Sequence, residues 1–173
     1  MKLTIITVCL NSEKTITDTI NSVNSQTYKN IEHIFVDGGS KDKTLKILRK
    51  NPNKNKKILI KKNSSIYGAM NEGIKNAKGT FIQILNSDDI LNSNEIIEKT
   101  IKKIKQNPKI DIFLGNVVYF SYNNFLKINR FFDANYKRIE NLLLGDMPPH
   151  PASFKKKKVY IKYGLYNTKF KIA

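Results

Sequence analysis

Three short polar clusters stand at the ends of apolar runs: Thr7 to Asn11, Asp37 to Ser40, and Asn86 to Asp89. Asp88 and Asp89, with Asn86 beside them, supply the oxygen ligands that Mg²⁺ or Mn²⁺ prefers. Two carboxylates alone repel a diphosphate; a divalent ion between them reverses that sign and stabilises the diphosphate as it leaves with added charge. Asp37 can accept hydrogen bonds from a base N–H, and Gly38 and Gly39 leave room for a ring. Thr7 and Asn11 are candidates to hold base and ribose, although Asn11 could equally cap a helix. Taken singly, each cluster is also an ordinary turn. Their shared position after strand-like runs favours a site, because a parallel sheet brings such ends to one edge.

Other ways of gripping a nucleotide are absent. The first strand is followed by Val8-Cys9-Leu10-Asn11-Ser12 rather than G-x-G-x-x-G, and no G-x-x-x-x-G-K-[ST] occurs. A nucleotide would therefore be held by side chains and a metal. His150, in Met147-Pro148-Pro149-His150-Pro151, could frame a pocket wall but has no evident partner to activate it. His33, inside a strand, is read as packing. Cys9 is expected to pack near the nucleotide edge, with no paired base to make it a nucleophile.

These residues need elements to position them. Leu3 to Val8, Ile31 to Val36, Ile58 to Ile60 and Thr80 to Leu85 read as strands, the first as one buried on both faces. Between them, helices are predicted from Ile16, Ile20 and Val23 behind caps at Asn11 or Ser12, from Leu45 and Leu48 behind a Ser40 cap, and over Tyr67 to Ala77, stopped by Gly79. Ser93 is placed as the cap of a further helix carrying Ile96, Ile97, Ile101 and Ile104. Ile110 to Phe120 and Phe125 to Phe132 are further strand candidates, paired antiparallel, and the aromatic-rich face from Phe113 to Phe132 is either core or interface, with core preferred. Strand and helix alternate through the first hundred residues, as right-handed βαβ units of a mainly parallel α/β sheet do.

The chain has 173 residues, one cysteine and a formal charge of +17. That length suits one α/β domain, and the single cysteine excludes an internal disulfide framework. Neither a leader nor an apolar run of membrane-spanning length is visible, so a cytosolic setting is expected. Lysines such as Lys99, Lys102, Lys103 and Lys105 are read as solvated helix surface. The run Lys155-Lys156-Lys157-Lys158 is kept as a candidate membrane-surface contact.

At the residues already singled out, the sequence resembles the family 2 inverting glycosyltransferases of the GT-A fold, especially bacterial enzymes of surface-polysaccharide synthesis. Leu3-Thr4-Ile5-Ile6-Thr7-Val8 through Asn11 is similar to the family's first strand and uracil-contacting turn, with Glu13 at a frequently acidic position. Ile34 to Thr44 resembles its "VDGGSxDxT" segment, Ile66 to Gly73 its "GIYDAMNxG" helix, and Gly79 to Asp89 the strand bearing its DXD-type motif. There are departures: Asn86 stands at the first acidic position, making Asp88 the metal ligand of choice, while Asn63 and Ser65 replace the Asp and Gly ahead of the helix. His150 to Ala152 resembles the "HQA" segment, and Gly164 to Ala173 the approach to the "DYD"-type motif that carries the catalytic base.

The resemblance implies a GT-A-type, Rossmann-like α/β domain over residues 1–173, with a nucleotide-binding half (1–91) and a partial acceptor-binding half (92–173). It implies a donor site of Thr7, Val8, Asn11, Glu13, Asp37, Gly39, Ser40, Tyr67, Asn71, Asn86, Ser87 and Asp88. Mn²⁺ or Mg²⁺ would sit on Asp88 and Asp89, with His150 on the acceptor side. The partners are a nucleotide-sugar donor, a UDP-sugar first, and a glycan or lipid-linked acceptor at the inner membrane face. The base is expected beyond Ala173 in a C-terminally truncated chain, so donor binding without robust transfer is the expectation. Two other classes compete. A sugar-nucleotide nucleotidyltransferase would want a glycine-rich basic loop after the first strand, which Leu10 to Lys14 does not provide. A basic nucleic-acid-binding module would leave Asp37, Asp88 and Asp89 unexplained.

Overall fold

The computed structural model describes residues 1–121, 124–135, 140 and 147–170. The alternation expected of the first hundred residues is present: β1 (Leu3–Cys9), α1 (Ile16–Asn24), β2 (Ile31–Asp37), α2 (Thr44–Lys50), β3 (Lys56–Ile60), α3 (Ile66–Asn76), β4 (Phe81–Ile84) and α4 (Ile96–Gln106). There follow β5 (Ile112–Leu114), β6 (Val117–Ser121), β7 (Asn124–Phe132), β8 (Ser153–Lys156) and α5 (Lys157–Tyr163). The main sheet has the order β3-β2-β1-β4-β8-β5. Its first four strands are parallel, and β8 runs antiparallel to both its neighbours.

Alternation along the strands divides the core into two faces. Ile6, Val8, Ile34 and Val36 pack on Met70 and Ile74 of α3 and on Tyr160 of α5. On the other face Leu3 and Ile5 meet Ile97, Ile101 and Ile104 of α4, while Cys9 and Phe35 meet Ile16, Ile20 and Leu48. Covered on both sides, β1 is buried along its whole length. The chain adds β2 and β3 on one side of β1 and β4 on the other, so strand order reverses between β1 and β4. A crevice opens at such a reversal, beyond the carboxyl ends of the strands.

Several local expectations are corrected. Asn11, Ser40 and Ser93 do not cap helices: the N-cap positions belong to Thr15, Lys43 and Glu95, and none of those makes a side-chain capping bond. Gly79 does not stop α3, which ends at Asn76. A Cβ on Gly79 would lie 2.5 Å from the Thr4 backbone nitrogen, so glycine is there because β1 passes too close for any side chain. The strand expected over Ile110 to Phe120 divides into β5, in the main sheet, and β6, which pairs with β7 in a separate two-stranded sheet. That ribbon is no core: Tyr119, Ile128 and Phe131 are 49%, 62% and 58% exposed.

The lysine run lies across the junction of β8 and α5 and is engaged within the fold. Lys156 and Lys158 both pair with Asp111 at 2.8 Å, and Lys157 Nζ donates to the Ala77 carbonyl. Lys155 lies against the rings of Tyr160 and Tyr166.

His33 is fully buried, as its place in a strand suggested, with Nε2 2.9 Å from Thr7 Oγ1 and no partner on Nδ1. Burial lowers its pKa from 6.5 to about 3. The unfolded chain therefore takes up a proton that the folded chain refuses between those values, and stability falls as pH drops through that window. Denaturant titrations from pH 7 to pH 4 are expected to show a decline approaching about 1.4 kcal/mol per pH unit from this site. In His33→Asn that slope is expected to flatten.

Candidate active site

The site is built from the loop after β2 upward. Asp37 ends that strand with its side chain completely buried. One carboxylate oxygen accepts from the backbone N–H groups of Gly39 and Ser40, both at 2.8 Å; the other accepts from Ser40 Oγ at 2.5 Å and meets the Cys9 thiol at 3.7 Å. In this arrangement Asp37 holds the turn that follows β2. Gly39 takes φ +99°, a left-handed conformation that closes this turn without strain only for glycine.

Ser40 carries the bond network into the loop after β1. The Asn11 N–H donates to Ser40 Oγ, and Asn11 Oδ1 accepts from the Lys41 N–H, both at 2.9 Å. Asn11 itself sits at φ +52°, a conformation asparagine tolerates better than most residues. Two reciprocal bonds follow: Glu13 N–H donates to Asp42 Oδ2, and Lys43 N–H donates to Glu13 Oε2. Ser12 N–H donates to Thr44 Oγ1. Asn11, Glu13 and Ser40 thus latch two loops together.

The third loop joins through Ser87, whose hydroxyl lies 2.9 Å from that of Ser12. Asn11, Ser12, Glu13, Lys14, Thr15, Asp42, Ser87 and Asp88 together line a polar cleft of about 470 Å³. Loops after β1, β2 and β4 therefore share one rim, as parallel strands demand. Asp42, Ser12 and Lys14 were not singled out from the sequence; the spacing Asp42-x-Thr44, an aspartate accepting from the backbone two residues on, was the available signal for Asp42.

The two acidic residues of the β4 loop have different surroundings. Asp88 is exposed on the cleft wall. Asp89 is not part of that wall: its Oδ2 accepts from the Asn86 N–H and closes the turn. Burial first, and then the charge of Asp88, raise the Asp89 pKa from 3.8 to about 6. Among the described residues no group of three His, Cys, Asp or Glu is arranged to hold a cation. A single accessible carboxylate still fits Mg²⁺ or Mn²⁺, which bind through one or two carboxylates together with the phosphates of a substrate. Asp89, through its bond from the Asn86 N–H, shapes the turn that presents Asp88.

The remaining candidates are placed away from this cleft. Thr7 is fully buried on His33 and Val8 is packed against α3. Asn71 uses both ends of its amide on the backbone of Tyr166, donating to its carbonyl at 2.8 Å and accepting from its N–H at 2.9 Å. Tyr67 stacks on the Tyr166 ring, and His150 lies on its other contacts at 5.4 Å between centroids. Burial, with Lys155 nearby, lowers the His150 pKa to about 4, and its Nε2 has no partner. Cys9 is inert as a nucleophile: burial first, then Asp37, push its thiol up to about 12.

An α/β protein with a polar, acid-rimmed cleft at its switch point, and no glycine cradle, is one that holds a small polar ligand through side chains. The chain belongs to glycosyl transferase family 2, whose family model matches residues 4–160. Its architecture is the GT-A type. A PGL/p-HBAD biosynthesis glycosyltransferase from Mycobacterium bovis is 28% identical over 171 residues, covering 97% of this chain and 64% of that protein. A UDP-Glc:alpha-D-GlcNAc-diphosphoundecaprenol beta-1,3-glucosyltransferase, WfaP of Escherichia coli, is 36% identical over 71% of this chain and 45% of its own length. Glycosyltransferase GlyA of Streptococcus pneumoniae is 32% identical over 70% of this chain but only 17% of its own. The chain thus spans less than two thirds of these curated relatives. Residues 1–349 of S. aureus TarS superpose on the whole chain with a TM-score of 0.81, at 23% identity and 52% coverage of that structure. A Pyrobaculum calidifontis mannosyltransferase, solved with GDP-Man and Mn²⁺, gives 0.73 at 14% identity over 96% of this chain and 48% of that one. These two likenesses establish the shared fold.

Asp37→Asn keeps the size of the side chain but removes the acceptor that Ser40 Oγ needs. It is expected to lower unfolding free energy by about 1–3 kcal/mol, read by urea denaturation. Amide exchange at Gly39, Ser40 and Lys41 should accelerate in the same variant.

Proposed function

We propose that this chain is the donor-binding part of an inverting glycosyltransferase that moves a sugar from a nucleotide-sugar to a glycan or lipid-linked acceptor. The observation that carries this reading is the single cleft on which Asn11, Glu13, Asp42, Ser87 and Asp88 converge. Residues 1–91 supply its walls and form the donor half; residues 92–173 belong to the acceptor half. The donor is a UDP-sugar: WfaP is named for UDP-Glc, and TarS has been solved with UDP and with UDP-GlcNAc.

The chemistry of the cleft calls for a cation. Glu13, Asp42 and Asp88 give its walls negative charge, which opposes a bare diphosphate. Mn²⁺ or Mg²⁺, held by Asp88, would neutralise that repulsion and the charge developing on the leaving diphosphate. Lys14 adds a positive side chain on the same wall. The Asp37 latch holds the loops after β1 and β2 in register, so the donor meets a preorganised surface. Asn86 and Asp89 fix the turn that presents Asp88. His150, against the Tyr166 ring, is kept as the acceptor-side residue, and Tyr67 as a donor-side one. No residue of this chain is assigned as the base that deprotonates the acceptor hydroxyl.

A cytoplasmic setting with peripheral contact at the inner membrane face is part of the same reading. Ile161 and Tyr163 of α5, 76% and 73% exposed around Lys162, are the side chains that support such contact better than the lysine run does. Among the described residues no helix is long and apolar enough to cross a membrane.

Calorimetry with UDP is the direct test. Binding is expected in the presence of Mn²⁺ and to weaken at least about tenfold when the ion is chelated, the scale of one lost charge-assisted contact. Asp88→Asn should lose the metal-dependent component while Asp89→Asn retains most of it. UDP binding that ignores both Mn²⁺ and Asp88 would sink the assignment.

A further inference from the structure

Asp88 is shared between two cavities. Besides the polar cleft it lines a second space of about 570 Å³, between β4 and α4 on one side and the β6–β7 ribbon on the other. That volume lies in the range of small-molecule sites. Leu91, Ile96, Val118, Phe120, Phe131 and Phe154 make its walls predominantly apolar. Polar residues also line it, Asp88, Asp89, Thr100 and Asn116 among them, and one further polar residue is incompletely satisfied. Gln83 is 1% exposed and donates through Nε2 to the Pro151 carbonyl, but its Oε1 is buried with no hydrogen-bond partner. An unsatisfied buried carbonyl is costly, and it is relieved by a donor arriving from a ligand.

We propose that this second cavity seats the apolar aglycone of an amphiphilic acceptor, with an acceptor hydroxyl donating to Gln83 Oε1 near the Asp88 rim. The proposal rests on the glycosyltransferase reading and narrows its acceptor to molecules with an alkyl or aryl group next to the sugar. The shared wall residue favours an acceptor over an unrelated ligand: Asp88 lines both spaces, so a molecule seated here would lie beside one in the donor cleft. The β6–β7 ribbon, with Ile128 and Phe131 more than half exposed, is then the outer wall of a binding site rather than a misplaced piece of core.

The test compares hexyl, phenyl and methyl β-D-glucosides with the purified protein, by titration followed in amide spectra. The hexyl and phenyl compounds are expected to bind about tenfold or more tightly than the methyl one, from the apolar area they bury. The shifted resonances should include Gln83 and Val118. Thr100→Phe, which fills the space from α4, should abolish that preference while melting within a few degrees of the parent. Photo-crosslinking of the unmodified protein with a diazirine-bearing hexyl glucoside should label β6 or β7, independently of any variant. Equal affinity for the three glucosides, an undiminished preference in a folded Thr100→Phe protein, or labelling elsewhere overturns the proposal. A UDP titration of the same sample separates the two readings: if UDP binds and the alkyl preference is absent, the cavity proposal fails alone. If UDP does not bind, both fail.

Discussion

A carboxylate removed from water must find donors for both oxygens, and at the end of β2 that requirement organises the site. Asp37 is sealed beneath its own loop, and its saturation by Gly39, Ser40 and Cys9 dictates where the following residues lie. Ser40 is then held with its hydroxyl oxygen facing the Asn11 N–H. From there the Asn11–Lys41, Glu13–Lys43 and Asp42–Glu13 bonds stitch two loops that are about thirty residues apart in the chain. Remove the central anion and each later bond loses the geometry on which it depends.

The sheet determines what that stitched surface faces. Parallel pairing of β1 with both β2 and β4 sends their carboxyl ends the same way, so the latch and the Asn86–Asp89 turn share a rim. Because strand order reverses at β1, the space between β1 and β4 is not filled by a crossover helix. Asp88 stands exposed at that point, while its neighbour is folded inward against the Asn86 N–H. Two adjacent aspartates thereby serve different ends: one is available to a ligand, and one holds the turn that makes it available. The second cavity extends the same logic, since its walls come from β4 and α4 on one side and a separate ribbon on the other.

How much was legible depended on whether the determining contacts are local. Strands β1, β2 and β4 were readable because they are buried on both faces and so are rich in apolar and β-branched residues. The helices α1, α3 and α4 were readable from apolar spacing. The caps were misread: Asn11 and Ser40 have the chemistry of capping residues but find their partners across the gap between loops. Thr7 and Val8 belong to a motif that resembles a donor-contacting turn, yet alternation buries one side chain on His33 and the other against α3. Asn71, singled out for a ligand, grips the Tyr166 backbone, ninety-five residues away, a contact that spacing could not announce.

From residue order alone came the mainly parallel α/β class, the three polar strand ends, the acidic pair, and the resemblance to family 2 glycosyltransferases. All of these follow from periodicity and from residue type at fixed spacing, which a linear chain displays directly. The tertiary structure alone decided which donors the Asp37 carboxylate meets, that Asp88 and not Asp89 lines the polar cleft, and that β8 inserts antiparallel between β4 and β5 to engage the lysine run. Those outcomes turn on which donor lies within 3 Å of which acceptor after distant segments meet, and spacing along the chain does not encode that distance.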